Sequence, residues 1–418
     1  MIGGGRRSGF AAALAVSEYR ALWAAEAQSV VGDQLAKVAL SVVVYQRTGS
    51  AGLTALSYAA LMLPALVAGP LLSGLADAYP RRTVMVACAT VQAVLVAAMA
   101  IPGTPTVALF ALIVAVQFVQ APFMAAQAAV LPVVLAGEAY QAGQALRQIT
   151  RQAGTLVGLA FGGIAVAVLG VSTALAIDAM TFVLAAAVIR IGTVHRAAAV
   201  TARGRRERHG SGMRQGAVLI WRDPALRALV GLTWLAGFAV VPEALMVPFA
   251  SSVGAGPAAV GWLLAVESAA MVAGAFLLVQ LVPTQARLRL LGPLAVLTVT
   301  PLIGYAAHPN LLGALILLAL SGAFAAYQVT ASATFMERLP DAQRGQAYGI
   351  ARSGLIAVQG LGMLAGGAVA ELTGSVTTTI ALAGVAGTLA AVLAAAGWHR
   401  AQASRPAAVE RVYAITAR

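Results

Sequence analysis

Twelve apolar runs, each long enough to cross a bilayer core, divide this chain from end to end. Their cores lie at 21–44, 52–75, 83–101, 106–133, 144–169, 171–191, 226–250, 257–281, 288–306, 310–335, 346–371 and 376–398. A helix needs about 20 such residues to span the hydrocarbon. Turn chemistry separates the runs, as at Tyr79-Pro80, Pro102-Gly103, Leu169-Gly170 and Thr373-Gly374. The period-two alternation of barrel strands is missing, and helices and closed barrels are the only spanning structures a bilayer tolerates. Composition agrees: 60% of the 418 residues are hydrophobic and 10% charged, where a soluble domain carries about a quarter charged. The chain therefore reads as an all-α polytopic membrane protein with twelve transmembrane helices.

A formal charge of +13 invites a nucleic-acid partner. The bases are dispersed between apolar spans instead of forming one face, so no nucleic acid is expected. Their placement fixes orientation instead. Only Arg47 follows span 1, and no Lys or Arg lies between spans 3 and 4, 5 and 6, 7 and 8, 9 and 10, or 11 and 12. The alternate loops and their edges carry Arg81, Arg82, Arg147, Arg287, Arg289, Arg338 and Arg344, and segment 190–227 adds nine more. The positive-inside rule then puts both termini and the central segment in the cytoplasm. The apolar run Phe10–Val16 is too short for a cleaved export signal. The single cysteine, Cys88, rules out an intrachain disulfide. A strong Arg-over-Lys bias suggests a GC-rich bacterial genome, hence a bacterial inner membrane.

The polar stretch HRAAAVTARGRRERHGSGMRQG interrupts the chain near its midpoint. It divides the protein into an N-terminal six-helix bundle (1–192), a basic cytoplasmic linker (193–221) and a C-terminal six-helix bundle (222–418). The linker reads as a topological spacer, and a basic juxtamembrane stretch also favours anionic headgroups. The halves resemble each other: Gly158, Gly162, Gly163 and Gly170 fall on Gly362, Gly366, Gly367 and Gly374. Two pseudo-symmetric halves from one repeat are a transporter signature.

The loop between spans 2 and 3 reads LADAYPRR. With six-plus-six spans and a long basic central loop, it resembles the major facilitator superfamily signature Gly-x-Leu-Ala-Asp-Arg-x-Gly-Arg-Lys. The match falls on Leu75, Ala76, Asp77 and Arg81, with Arg82 for the lysine; Ser73, Ala78 and Pro80 depart from it. The resemblance implies a gating loop in which Asp77 meets the start of span 11 and Arg81 and Arg82 pair with acids of neighbouring loops. The antiporter-type glycine pattern of span 5 appears as Gly154, Gly158, Gly162 and Gly163, with Leu159 for its proline. It implies a tightly packed, bendable helix at the interface between halves. In span 4, Gln117 replaces the family's arginine and is followed by Gln120 and Ala121. The stretches PFMAAQAAVLP, QALRQ, AIDAMTF and PDAQRGQAYG look like the branch of drug, macrolide and siderophore exporters.

Five acids lie inside predicted spans: Glu26, Asp33, Asp178, Glu243 and Glu267. An ionised group there costs at least ~2.5 kcal/mol, so function is the default explanation. Glu26, Asp33 and Lys37 project from one face of span 1, joined by Ser29, and this stripe is expected to face a central cavity. Asp33 is the first candidate for proton coupling, with Lys37 as its charge partner; a static Asp33–Lys37 pair is the structural alternative. Glu267 is the second candidate. Glu243 follows Pro242, where a kink frees carbonyls. Asp178 serves either coupling or a helix-to-helix hydrogen bond. Gln117, Gln120, Gln127, Tyr327 and Gln328 are cavity-lining candidates, or glue between helices.

These features point to a secondary transporter, a monomer that exports a small hydrophobic or amphipathic molecule in exchange for protons. It needs no cofactor or metal and draws on the proton-motive force. Uptake by symport or uniport is the alternative, and a non-transporting sensor a third. A membrane enzyme is disfavoured, because His195, His209, His308 and His399 are scattered without metal-like spacing. No Gly-x-x-x-x-Gly-Lys-Ser/Thr loop for ATP is present.

Overall fold

The computed structural model describes residues 9–72, 75–196, 217–339 and 344–403. Most of the central linker, the start of PDAQRGQAYG and the side chain of Asp77 lie outside the described residues. Among the described residues, twelve helices are long and apolar enough to cross a membrane. Spans 1 to 6 are Ser17–Thr48, Ala51–Leu72, Arg81–Ala100, Thr106–Val134, Ala139–Leu169 and Val171–Gly192. Spans 7 to 12 are Pro224–Ser252, Pro257–Leu281, Gln285–Ala307, Leu311–Arg338, Gln346–Thr373 and Val376–Gln402.

Two helices outrun their apolar cores. Span 1 starts at Ser17, where Glu18 and Arg20 extend it, and the helix of span 5 begins at Gly137, seven residues before its core. Charged and polar side chains propagate a helix as readily as apolar ones; only their solvent differs.

Proline explains most interruptions. Span 2 is broken between Ala60 and Pro64, and span 7 restarts at Val241 beside Pro242. Span 9 tightens into a 3-10 helix over Thr300–Ala307, which contains Pro301. In each case the ring lacks a donor and clashes with the carbonyl four residues earlier. Span 10 breaks at Ala326 without a proline, and nothing in the structure explains that break. Span 5 runs unbroken, as Leu159 in place of the family's proline would require.

The chain separates into two compact units, Met1–Gly204 with Ala250–Ala265, and Arg205–Phe249 with Val266–Arg418. Each is held by the same helix pairs. In the first, span 1 packs on spans 5 and 6, and span 3 on spans 4 and 6. In the second, span 7 packs on spans 11 and 12, and span 9 on spans 10 and 12. Tryptophans mark equivalent seams: Trp23 Nε1 donates to Thr150 Oγ1 at 2.8 Å, and Trp234 Nε1 to the Ala351 carbonyl at 3.1 Å.

Small residues make these pairs possible, because lipid supplies no hydrophobic drive between helices and close backbone approach must. A methyl group at Gly158 would fall 2.7 Å from Gln34 Cβ of span 1, and one at Gly154 2.9 Å from Val30 Cγ1. On span 11 a methyl at Gly362 would collide with the main chain of Gly237, and one at Gly366 would fall 2.6 Å from Val241 Cγ1. Thus the aligned glycines of spans 5 and 11 meet equivalent helices, 1 and 7.

Gly349 lies on the same helix as Gly362 but has open space where a methyl would go. Gly362→Ala is expected to destabilise the protein by about 1–3 kcal/mol through overpacking. Gly349→Ala is expected to leave it level or slightly stabilised. Thermal unfolding of both variants in detergent checks the contrast.

Candidate functional site

Span 1 threads the first unit and carries three acids with three different fates. Near its start, Glu18 accepts both terminal nitrogens of Arg196, at 2.5 and 2.7 Å, and the Val194 N–H at 3.1 Å. This clasp ties the beginning of span 1 to the residues that follow span 6. Donating these hydrogen bonds to Glu18 raises the basicity of Arg196, which lies outside the spans.

Two turns on, Glu26 is bound by a pair of guanidiniums from span 5. Arg147 Nε contacts its Oε2, and an Arg151 terminal nitrogen lies 2.5 Å from its Oε1. Gln127 of span 4 adds a longer contact at 3.4 Å. The side chains of Glu26 and Arg147 are only 10% and 9% exposed. Glu26, a coupling candidate from sequence, is thus an ion-paired group whose charge two guanidiniums answer within the bundle. Arg147 and Arg151 stand four apart on one helix face, a spacing that should have flagged a partner for an acid.

Asp33, the next acid along, has a different neighbour. Its carboxyl interacts electrostatically with that of Asp178 on span 6. Asp178 is buried, 2% exposed, and among the described residues its carboxyl accepts only a 3.3 Å hydrogen bond from Thr181 Oγ1 on its own helix. Asp33 is half-buried. Gly32 makes room for the meeting: any Cβ there would overlap Asp178 Oδ1 and Thr181 Oγ1. The sequence hid this role, since a glycine beside an acid in an apolar run has no signature of its own. Lys37 sits one turn further along, its Nζ 5.2 Å above the Tyr58 ring, a cation–π arrangement.

The remaining candidates are dispersed. Glu243 is half-buried in the first turn of Val241–Ser252. Glu267, half-buried midway along span 8, interacts with Tyr305, a fully buried residue whose hydroxyl has no hydrogen-bond partner among the described residues and whose ring packs edge-on against Phe249 at 5.4 Å. Tyr327 does not line a cavity: it is fully buried and donates to the Leu232 carbonyl at 2.7 Å, locking span 10 to span 7. Gln120 accepts from buried Gln92 at 2.7 Å and so joins spans 3 and 4. Gln117 and Gln328 are half-buried.

The described contacts of the gating-loop arginines are with main chain. Arg81 donates to the Ala129 carbonyl at 2.8 Å, and Arg82 contacts the Arg190 carbonyl, near the ends of spans 4 and 6. The Arg190 carbonyl is one of the last of its helix, which have no partner within it. Asp77 lies on the short helix Leu75–Ala78. In span 5, Gly154, Gly158 and Gly162 face span 1, so three of the four motif glycines pack on that helix. Gly163 alone faces the first turns of span 8, where its Cβ position would lie 2.8 Å from Gly261 N.

Removing the acid from the guanidinium pair leaves a largely occluded cation unanswered. Glu26→Gln is therefore expected to destabilise the protein by about 3 kcal/mol. Asp33→Asn removes repulsion and is expected to leave stability level or higher. Paired thermal melts in detergent distinguish the two acids.

Three solved structures of similar fold are transporters by description. One is a bacterial homologue of the human lysosomal transporter Spinster, aligned over 92% of this chain and 96% of that one with a TM-score of 0.70 and 14% identity. A POT family transporter in complex with 5-aminolevulinic acid aligns over 92% and 96%, with a TM-score of 0.71 and 9% identity. A bacterial homologue of the iron transporter ferroportin covers 90% and 98%, with a TM-score of 0.67 and 12% identity. At such identities the likeness shows the fold. No curated protein matches by sequence. The family model described as Major Facilitator Superfamily matches residues 22–250, more than half of the chain. With twelve spans, repeated packing and that match, the chain belongs to the Major Facilitator Superfamily and is a membrane transporter, not an enzyme.

Proposed function

We propose that the protein exports a small hydrophobic or amphipathic compound, such as a drug or secondary metabolite, in exchange for protons. Asp33 and Asp178 together carry the coupled proton. The observation behind this reading is the meeting of two carboxyls inside a membrane bundle, next to a glycine that leaves room for them. Two ionised carboxylates at close range in a low-dielectric interior repel strongly and titrate as a pair. Uptake of one proton removes the repulsion; its release restores it and strains the contact of span 1 with span 6.

Asp33 is the partner that exchanges protons with water, since it is half-buried where Asp178 is enclosed. Glu26 has no part in the cycle, being held by Arg147 and Arg151. The antiporter-type glycines of span 5 and the exporter-like stretches support outward transport. The protein works as a monomer in a bacterial inner membrane, both termini cytoplasmic, driven by the proton-motive force.

Transport into proteoliposomes under an imposed pH gradient tests the proposal. Adding a cationic or macrolide-like drug is expected to elicit proton flux from the intact protein. Asp33→Asn is expected to abolish that flux while the variant still binds drug. Gly32→Ala, which displaces Asp178, is expected to weaken it. Drug movement that ignores the gradient, or a full proton flux in Asp33→Asn, overturns the carboxyl pair as the coupling site.

A further inference from the structure

A second polar site lies at the end of the first bundle, away from the carboxyl pair. A cleft of about 120 Å³ opens where the start of span 1, the start of span 3, the end of span 4 and the residues after span 6 converge. Its basic side is made by Arg81, Arg82 and Arg196, and its acid is Glu18. Its apolar side includes Val133 and Val194, which are 55% and 57% exposed.

The charges do not cancel. Glu18 is fully engaged by Arg196 and the Val194 N–H, so that pair is neutral and its acceptors are occupied. Arg81 and Arg82 remain, each without an ion pair among the described residues. Each spends a donor on one carbonyl, of Ala129 and Arg190. A guanidinium has five N–H donors, so each retains several. Arg81 also opens the helix of span 3, where unpaired N–H groups and the helix dipole favour an anion.

Depth and shape identify what carries that anion. Spans 3, 4 and 6 each begin or end at this cleft, which puts it at the level of lipid headgroups. Ile191, strongly exposed, lies on the same end of span 6. Basic groups beside an exposed apolar wall at the membrane boundary suit a molecule with an anionic head and a hydrocarbon tail. A soluble anion would gain nothing from that wall.

We propose that this cleft binds the phosphate group of an anionic phospholipid, with Arg81 and Arg82 on the headgroup and an acyl chain against Val133 and Val194. The site is independent of what the transporter carries or in which direction.

Native mass spectrometry of the full-length protein, released from vesicles of phosphatidylglycerol and phosphatidylcholine, tests the assignment. The intact protein is expected to retain phosphatidylglycerol in preference to phosphatidylcholine. The double variant Arg81→Gln with Arg82→Gln is expected to weaken that retention by roughly thirtyfold, from a contribution of about fivefold for each arginine. Val133→Glu puts a carboxylate at the exposed mouth without removing any hydrogen bond, so it should fold normally and lower retention as well. Undiminished retention in Val133→Glu, or equal retention of the two lipids, overturns the site. Displacement of phosphatidylglycerol by millimolar inorganic phosphate overturns the lipid assignment in favour of a free anion.

Discussion

Within hydrocarbon, water is not available to answer a charge, so each polar group must be answered by the protein. That requirement organises the first bundle. Glu26 is met by Arg147 and Arg151, Glu18 by Arg196, and the Tyr19 hydroxyl by the Gly143 carbonyl. Each of these contacts draws one helix against another, so satisfying the charge and building the bundle are a single act. Asp178 is the exception, since what it meets across the helix boundary is a second carboxyl. Neighbouring acids are neutralised by guanidiniums, and this pair is not.

The two features argued to be functional occupy different levels of one bundle. The carboxyl pair lies midway along spans 1 and 6, and the arginine cleft lies at the ends of spans 3, 4 and 6. Span 1 passes through both, with Glu18 at the cleft and Asp33 beyond it. Span 6 does the same, from Asp178 to the residues that follow Gly192. A displacement of span 1 against span 6 at one level is therefore felt at the other through rigid helix, without any chain of side chains between them.

Hydropathy and arginine placement carried the fold, because a bilayer reduces the choice of structure to helix length and count. The internal repeat was legible too, since glycines of spans 5 and 11 sit where close packing demands them. Partners were not legible. Arg147 had been read as a topological charge, yet it reaches across to Glu26; Tyr327 had been read as polar lining, yet its hydroxyl turns to a carbonyl on span 7. Residue type gives the polarity of a side chain, but only tertiary packing decides which neighbour removes it from water. Gly32 was silent for a related reason: its contribution is an absence, visible only once Asp178 is seen occupying the space.

The matched seams of the two bundles are closed by atoms that cannot step aside. At Gly158 a Cβ would meet Gln34 Cβ and the Val31 carbonyl, and at Gly362 it would meet the backbone of Gly237. Neither a Cβ nor a main chain has a rotamer to adjust, so the missing side chain sets the spacing of each joint, and spans 1 and 5 move as one body, as do spans 7 and 11.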